Sequence, residues 1–341
     1  MLRLGIIGAG SVMKNAHAPA IAARDDVVVS GVADAVESAA RDLAAALGCD
    51  KITSDYRVLL ADPDVDAVDI CLPHFLHYEA VMAAFEAGKD VLLEKPIALT
   101  LDEADAMIAA SKDTGCRFYV NLNQRFFPAH RALKRAVTDG TYGAPFLALA
   151  HLIGDEYAGM CNPEHWKGTW DKAGGGTLID TGTHIVDLML WWFGAPRRVS
   201  CQWGRLQVGA RNKADDNVVV TLGYDHMLAD IVVSYTVRTD LWREDKAVYF
   251  PEASLHLKME SETPLCIGRE RQPPAPVSGV EAMPNWWPGT ERASVNHFLD
   301  CLQGKAEPEF GPEAGREALA LILTAYQAAR ENRTLCFDPR D

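Results

Sequence analysis

Short apolar runs alternate with helix-length amphipathic segments from Leu2 to about Asn121, and few folds can use such a pattern. The runs are Leu2 to Ile7, Val27 to Ala33, Ala67 to Leu72, Val91 to Leu93 and Phe118 to Val120. Between them lie Ser38 to Leu47, His77 to Ala87 and Leu101 to Thr114. Each of these is followed by a glycine (Gly48, Gly88, Gly115), where a helix C-terminus favours a residue at ease with positive φ. Strands that are apolar on both faces and alternate with helices predict a doubly wound parallel sheet with helices on both sides.

After Asn121 the grammar changes. A helix is expected over Ala129 to Val137 and a strand over Phe146 to Ile153, then a loop rich in Gly, Pro, Trp and His up to Gly176. A helix carrying Asp180 follows and stops at Gly194. The runs Val218 to Leu222, Ile231 to Val237 and Ser254 to Met259, spaced by turn residues, predict a second, mostly antiparallel sheet. Gln272 to Gly289 holds several prolines and a Trp-Trp pair, so an irregular loop is expected there. Helices over Glu291 to Leu302 and Pro312 to Asn332 close the chain. With 341 residues the expectation is an α/β protein of two domains, 1–122 and 123–341, the closing helices being free to pack back on the first.

The formal charge of -14 argues against nucleic acid or an anionic membrane as the partner, since phosphates would meet a repulsive mean field. Eight cysteines, at 49, 71, 116, 161, 201, 266, 301 and 336, show no CxxC or His-rich spacing. They suit a reducing compartment better than a disulfide frame, and no structural metal is expected. No stretch is long and apolar enough to span a bilayer, and the N-terminus enters a strand rather than a leader, so the expected address is the cytoplasm.

Gly8-Ala-Gly10-Ser11-Val12-Met13 sits between the first strand and first helix, where backbone N–H groups and the helix dipole can hold a pyrophosphate. The third fingerprint position is Met13 rather than Gly or Ala. Asp34 ends the second apolar run, where its carboxylate can accept hydrogen bonds from the adenosine ribose and repel a 2'-phosphate. NAD is therefore favoured over NADP, with Arg41 as the residue that could reverse the choice. Leu72, Pro73, His74 and His77 follow a strand at the carboxyl edge of the sheet and join the expected cofactor set, although His77 equally suits a helix cap or a solvent-facing position.

Glu94-Lys95-Pro96 ends another strand at that edge. The Lys95 ammonium can hydrogen-bond a substrate hydroxyl and support the alkoxide that precedes hydride transfer, with Glu94 tuning it. Far downstream lies Gly174-Gly175-Gly176, then Asp180, His184 and Asp187. Asp180 and His184 are spaced to share a helix face, so the carboxylate can orient an imidazole acting as acid/base. The glycines would let backbone approach a ligand. His165, Trp166 and Trp170 fit either an aromatic wall for a sugar ring or core packing. Arg125 fits either a ligand contact or a salt bridge at the domain junction.

In these motifs the chain resembles the Gfo/Idh/MocA oxidoreductases, the glucose-fructose oxidoreductase, inositol dehydrogenase and rhizopine catabolism group. The resemblance rests on Gly8-Ala9-Gly10, on Ala87-Gly88-Lys89 through Glu94-Lys95-Pro96, on Asn123-Gln124-Arg125-Phe126, and on the Gly174 to Asp187 run. It implies a Rossmann domain, then an α/β domain whose open, largely antiparallel sheet makes a homodimer or homotetramer. Lys95, His184 and Asp180 would be the catalytic set, with Gln124 at the cofactor and Arg125, His165 and Trp166 at the substrate. Met13 and His74 depart from the family's usual small residue and Asn or Thr. The expected activity is NAD-dependent oxidation of a secondary alcohol on a sugar, polyol or cyclitol. Two alternatives are a redox-neutral enzyme that oxidises transiently and a non-catalytic nucleotide-binding regulator. Turnover of added NAD separates the first from the second, and Lys95 together with His184 argues against the third.

Overall fold

In the computed structural model, which describes residues 1–340 apart from 163, 212, 239–241 and 284, the apolar runs of the first third become buried parallel strands. They are β1 (Leu2–Ile7), β2 (Val27–Ala33), β4 (Ala67–Ile70), β5 (Asp90–Leu93) and β6 (Phe118–Val120), joined at one edge by the short, half-buried β3 (Ile52–Thr53). Their order is β3-β2-β1-β4-β5-β6, with Leu4 opposite Ala67 and Val91 opposite Phe118. The chain winds one way from β1 to β3 and the other way from β4 to β6. That reversal places the carboxyl ends of β1 and β4 at the switch point where such sheets bind ligands.

Helices Glu37–Ala46, His77–Glu86 and Leu101–Thr114 lie within two residues of their expected limits. The last is fixed at both ends: Thr100 and Glu103 form a capping box, and Gly115 closes the helix at φ 73°. The short β3 and the helix Tyr56–Leu60 were not foreseen, being too brief to show a period.

The second sheet comprises β7 (Leu147–Ile153), β8 (Arg198–Gly204), β9 (Asn217–Gly223), β10 (Leu228–Ser234), β11 (Arg243–Tyr249), β12 (Ser254–Lys258), β13 (Leu265–Arg269), β14 (Gln272–Pro276) and β15 (Leu335–Cys336). The order is β14-β13-β12-β11-β7-β10-β9-β8-β15, antiparallel throughout except for β7 beside β10. Two expectations are corrected here. The proline-rich Gln272–Pro276 is an edge strand paired with β13, a place where a residue without an N–H is tolerated. The first closing helix begins at Trp286, not Glu291, so the Trp-Trp pair is helical.

By internal contacts the described chain divides into two units, Met1–Asn123 with Trp287–Arg316, and Gln124–Trp286 with Glu317–Asp341. In the first, Val295, Phe298, Leu299 and Leu302 join Leu4, Ile6, Met13, Val32 and Leu92 in one core cluster. In the second, β7, β9 and β10 turn Ala148, Ala150, Val218, Val220, Ile231 and Val233 into the interior. Among the described residues, no helix is long and apolar enough to cross a membrane.

Candidate active site

The glycine loop is built around a close approach. Gly8 has φ 99°, and a Cβ there would lie 2.2 Å from the Cys71 carbonyl oxygen at the end of β4. A side chain at Gly10 would meet nothing within 4 Å, so the backbone is open on the side a pyrophosphate would take. The Asp34 carboxylate accepts from Ala9 N–H at 2.7 Å and from Val36 N–H at 2.8 Å, which fixes it beside the loop. These residues fit a dinucleotide. Met13 is fully buried in the core, and the helix it opens is a π-helical turn, Met13–His17, in which Ala18 N–H reaches back to Met13 C=O. Pro19 lacks the N–H that an ordinary α-helical ladder would use there. Ser11, at the exposed tip of the loop, accepts from Asn15 at 3.0 Å, and Val12 is half-buried.

His77 neither caps a helix through its ring nor faces solvent. It is completely buried, with Nδ1 2.8 Å from the Pro96 carbonyl and Nε2 2.8 Å from that of Leu72, and so ties two strand-end loops together. Its ring stands 5.8 Å from that of the buried His74. Pro73 leads into the short turn His74–Leu76, while Leu72 packs 3.3 Å from where a Gly8 Cβ would stand.

Lys95 follows β5 by two residues and is half-buried. Glu94, expected to tune it, is buried, and its Oε2 accepts from the Lys95 backbone N–H at 3.2 Å. Its other oxygen lies 3.2 Å from His17 Nε2 and accepts from Asn121 at 2.5 Å. Asn121 also donates to Glu291 at 2.6 Å, and His17 Nδ1 is 2.9 Å from Asp69. Behind Lys95 there is thus a buried polar network, of which sequence reasoning found only Glu94. His17 carried a usable signal, its position at the end of the short helix that follows the glycine loop.

In the second unit the triple glycine serves the protein's own packing. A Cβ on Gly176 would lie 1.9 Å from the Asp215 carbonyl oxygen, and one on Gly175 2.2 Å from the Tyr326 hydroxyl. Asp215, fully buried, accepts from the N–H groups of Gly176 (2.7 Å) and Leu178 (3.0 Å) and from Tyr326 (2.7 Å). The glycines therefore let Asp215 bond the first turn of Thr177–Asp180.

A break at Thr181 separates Thr177–Asp180 from Gly182–Phe193, which carries the half-buried His184. The buried Asp180 carboxylate takes the Lys167 ammonium at 2.7 Å and the Tyr235 hydroxyl at 2.5 Å, both on Oδ2. Burial and the charge of Asp180 push the Tyr235 phenol far above its ordinary range, so it remains a donor. Neither Lys167 nor Tyr235 was foreseen.

Asp187 binds Arg125 through both oxygens, at 2.5 and 2.9 Å. Arg125 is therefore engaged in a buried salt bridge, and both partners belong to the second unit. Gln124 is likewise buried and donates to Glu244 at 2.8 Å, beside the buried pair of Glu244 with Lys246. His165 stacks on Trp166 (6.1 Å, 17°), whereas Trp170 packs edge-on against Tyr326 at 4.8 Å, which is the core-packing alternative.

Residues 2–122 match a family model described as an oxidoreductase family with an NAD-binding Rossmann fold, and residues 130–255 match the GFO/IDH/MocA C-terminal domain. The chain is similar to levoglucosan dehydrogenase of Pseudarthrobacter phenanthrenivorans, 34% identical over 57% of this chain and 51% of the relative. It is also similar to D-apiose dehydrogenase of Paraburkholderia graminis, 27% identical over 97% and 88%. The matched stretch spans about half the length of the first of these relatives and of the two that follow it in similarity. A solved levoglucosan dehydrogenase in complex with NADH and levoglucosan superposes with a TM-score of 0.87 at 23% identity, covering 98% of this chain and 99% of that one. At that identity the likeness is one of fold.

Proposed function

Because the chain belongs to the Gfo/Idh/MocA oxidoreductase family and carries its NAD-binding Rossmann fold, we propose that it is a dehydrogenase of a secondary alcohol on a neutral sugar, polyol or cyclitol. NAD, when bound, takes or returns the hydride. Gly8, Gly10, Ser11, Val12 and Asp34 would hold it, with Leu72, Pro73 and His74 at the strand edge. The His184 imidazole takes the hydroxyl proton, a task suited to a ring that titrates near neutrality in water. Lys95, as the family resemblance implies, would donate to a substrate hydroxyl and support negative charge there. Asp180 orients the ring hydroxyls, and His165 with Trp166 receives the apolar face of the ring.

Arg125 acts through Asp187, one helical turn beyond His184, by fixing the helix that carries the imidazole. The observation that carries this reading is the Asp180 carboxylate, buried beside an ammonium and a phenol, in a chain whose glycine loop fits a dinucleotide. The expected assembly is a homo-oligomer formed through the second sheet.

The test is purified protein with NAD and a panel of neutral sugars, anhydrosugars and inositols, followed at the absorbance of NADH. Turnover is expected, and Lys95→Ala should lower kcat by about 100-fold or more while leaving NAD affinity nearly unchanged. A Lys95→Ala enzyme of full activity would remove the mechanism.

A further inference from the structure

Lys167 has no role in the scheme above, yet it is the cation placed on the site's buried carboxylate. Its ammonium lies 2.7 Å from Asp180 Oδ2, the Lys167 side chain being 30% exposed and the Asp180 side chain 6%. The same ammonium stands 5.7 Å from the centre of the Trp166 ring and 6.0 Å from that of Tyr235, within the range of cation–π attraction. The turn that carries it, Trp166–Gly168, is held by His165, whose Nδ1 accepts from Lys167 N–H at 3.3 Å. Lys167 is thus held at its backbone N–H and at its ammonium.

We propose that Lys167 is a positioning residue that keeps Asp180 ionised and aimed for substrate hydroxyls, and that this pairing restricts the substrate to neutral polyols. The proposal rests on the dehydrogenase reading above. A carboxylate this deeply buried would take up a proton unless a cation faced it. Tyr235 supplies a hydrogen bond without charge, and Lys167 supplies a cation at 2.7 Å. A sugar bearing a carboxylate or phosphate would compete with Asp180 for that ammonium and leave Asp180 buried without it, which is strongly unfavourable. A neutral ring asks for no such exchange.

Wild type, Lys167→Met and Lys167→Arg are compared as full chains with NAD and the best neutral polyol across pH. In Lys167→Met the acid limb of kcat/KM should move up by about one unit or more, with about a tenfold loss at pH values on that limb and unchanged NAD affinity. Lys167→Arg should return the limb toward its wild-type position. An unmoved limb with a rate within about twofold of wild type would overturn the proposal. So would a wild type that prefers a uronate or sugar phosphate to the neutral parent and loses that preference in Lys167→Met.

Carboxyl carbon NMR, with Asp180→Asn for assignment, needs no substrate. The Asp180 titration should move upward in Lys167→Met or, if that variant fails to fold, in the smaller change Lys167→Gln. A titration that stays in place would overturn the proposal. Should wild type turn over no polyol, the dehydrogenase reading fails, and this measurement still decides whether Lys167 governs Asp180.

Discussion

His17 brings three carboxylates to one ring: Asp69 at 2.9 Å, Glu94 at 3.2 Å and Glu291 at 3.7 Å, all buried. Burial alone would drive the imidazole neutral. The charge of Asp69, with Cys71 beside it, overrides that and leaves the ring's pKa well above its ordinary value. Burial also pushes Glu94 upward, but the hydrogen bond and charge of His17, with Lys95 and Asn121, bring it down to about 2. Glu291 is raised, first by burial and then by the charge of Glu94, so Glu94 holds the charge of that pair. A raised His17 contributes stability that is fully present below its unfolded pKa near 6.5 and is lost as pH climbs through the folded value. A depressed Glu94 contributes above its unfolded value and is lost as pH falls through about 2. His17→Ala should therefore cost about 3–5 kcal/mol at pH 6, by leaving buried carboxylates without their cation, and the gap from wild type should narrow in alkaline solution. Urea melts at several pH values measure it, and a gap independent of pH would show that the ring acts by packing alone.

At the scale of elements, the glycine run separates two kinds of constraint. Gly48 sits at φ 67° with nothing within 4 Å of a Cβ, so Gly48→Ala should cost only the left-handed backbone, about 1 kcal/mol. Gly176→Ala must displace Asp215 backbone and with it the bonds to Gly176 and Leu178, so a loss of about 3 kcal/mol or more is expected in denaturant melts. Equal losses at the two positions would contradict this packing account. The same contrast explains what could be read from the chain in advance. β1, β2 and the helix Leu101–Thr114 show their limits in local pattern, because a two-sided apolar strand, a capping box and a C-terminal glycine are each short-range. Glycines 174–176 announced a close approach but not its partner, since Asp215 and Tyr326 lie some 40 and 150 residues on. Lys167 and Tyr235 were silent for the same reason: a lysine in a loop and a tyrosine after a strand become site residues only when tertiary structure places them on Asp180. Arg125 and Asp187 were both noticed, and their pairing was not.

Across the whole molecule, strands β7 to β13 of the second sheet bury one face and leave the other to be explained. Register carries Thr221, Asp230, Leu149, Ala247 and His256 across that open face in one row, and Val219, Val232, His151, Asp245 and Lys258 in the next. Val219 is 45% exposed and Leu228 53%, while their neighbours in sequence Val218, Val220 and Ala229 are buried. A broad sheet face of mixed valine, leucine and charge suits contact with a second copy of the chain, since left bare it would invite nonspecific association. Each copy would carry a formal charge of -14, so any such assembly must work against mutual repulsion. One consequence follows from that opposition and a second from the apolar contact itself. Association should strengthen as salt rises from about 50 to 500 mM, because screening weakens the repulsion while leaving apolar contact intact. Val232→Lys, which puts a cation in the middle of the face without touching the buried side of β10, should shift light-scattering mass toward a monomer while the melting temperature of the isolated fold changes little. A wild type that runs as a monomer at every salt concentration, or a Val232→Lys protein that assembles as wild type does, would move the contact elsewhere and leave the open face without this explanation.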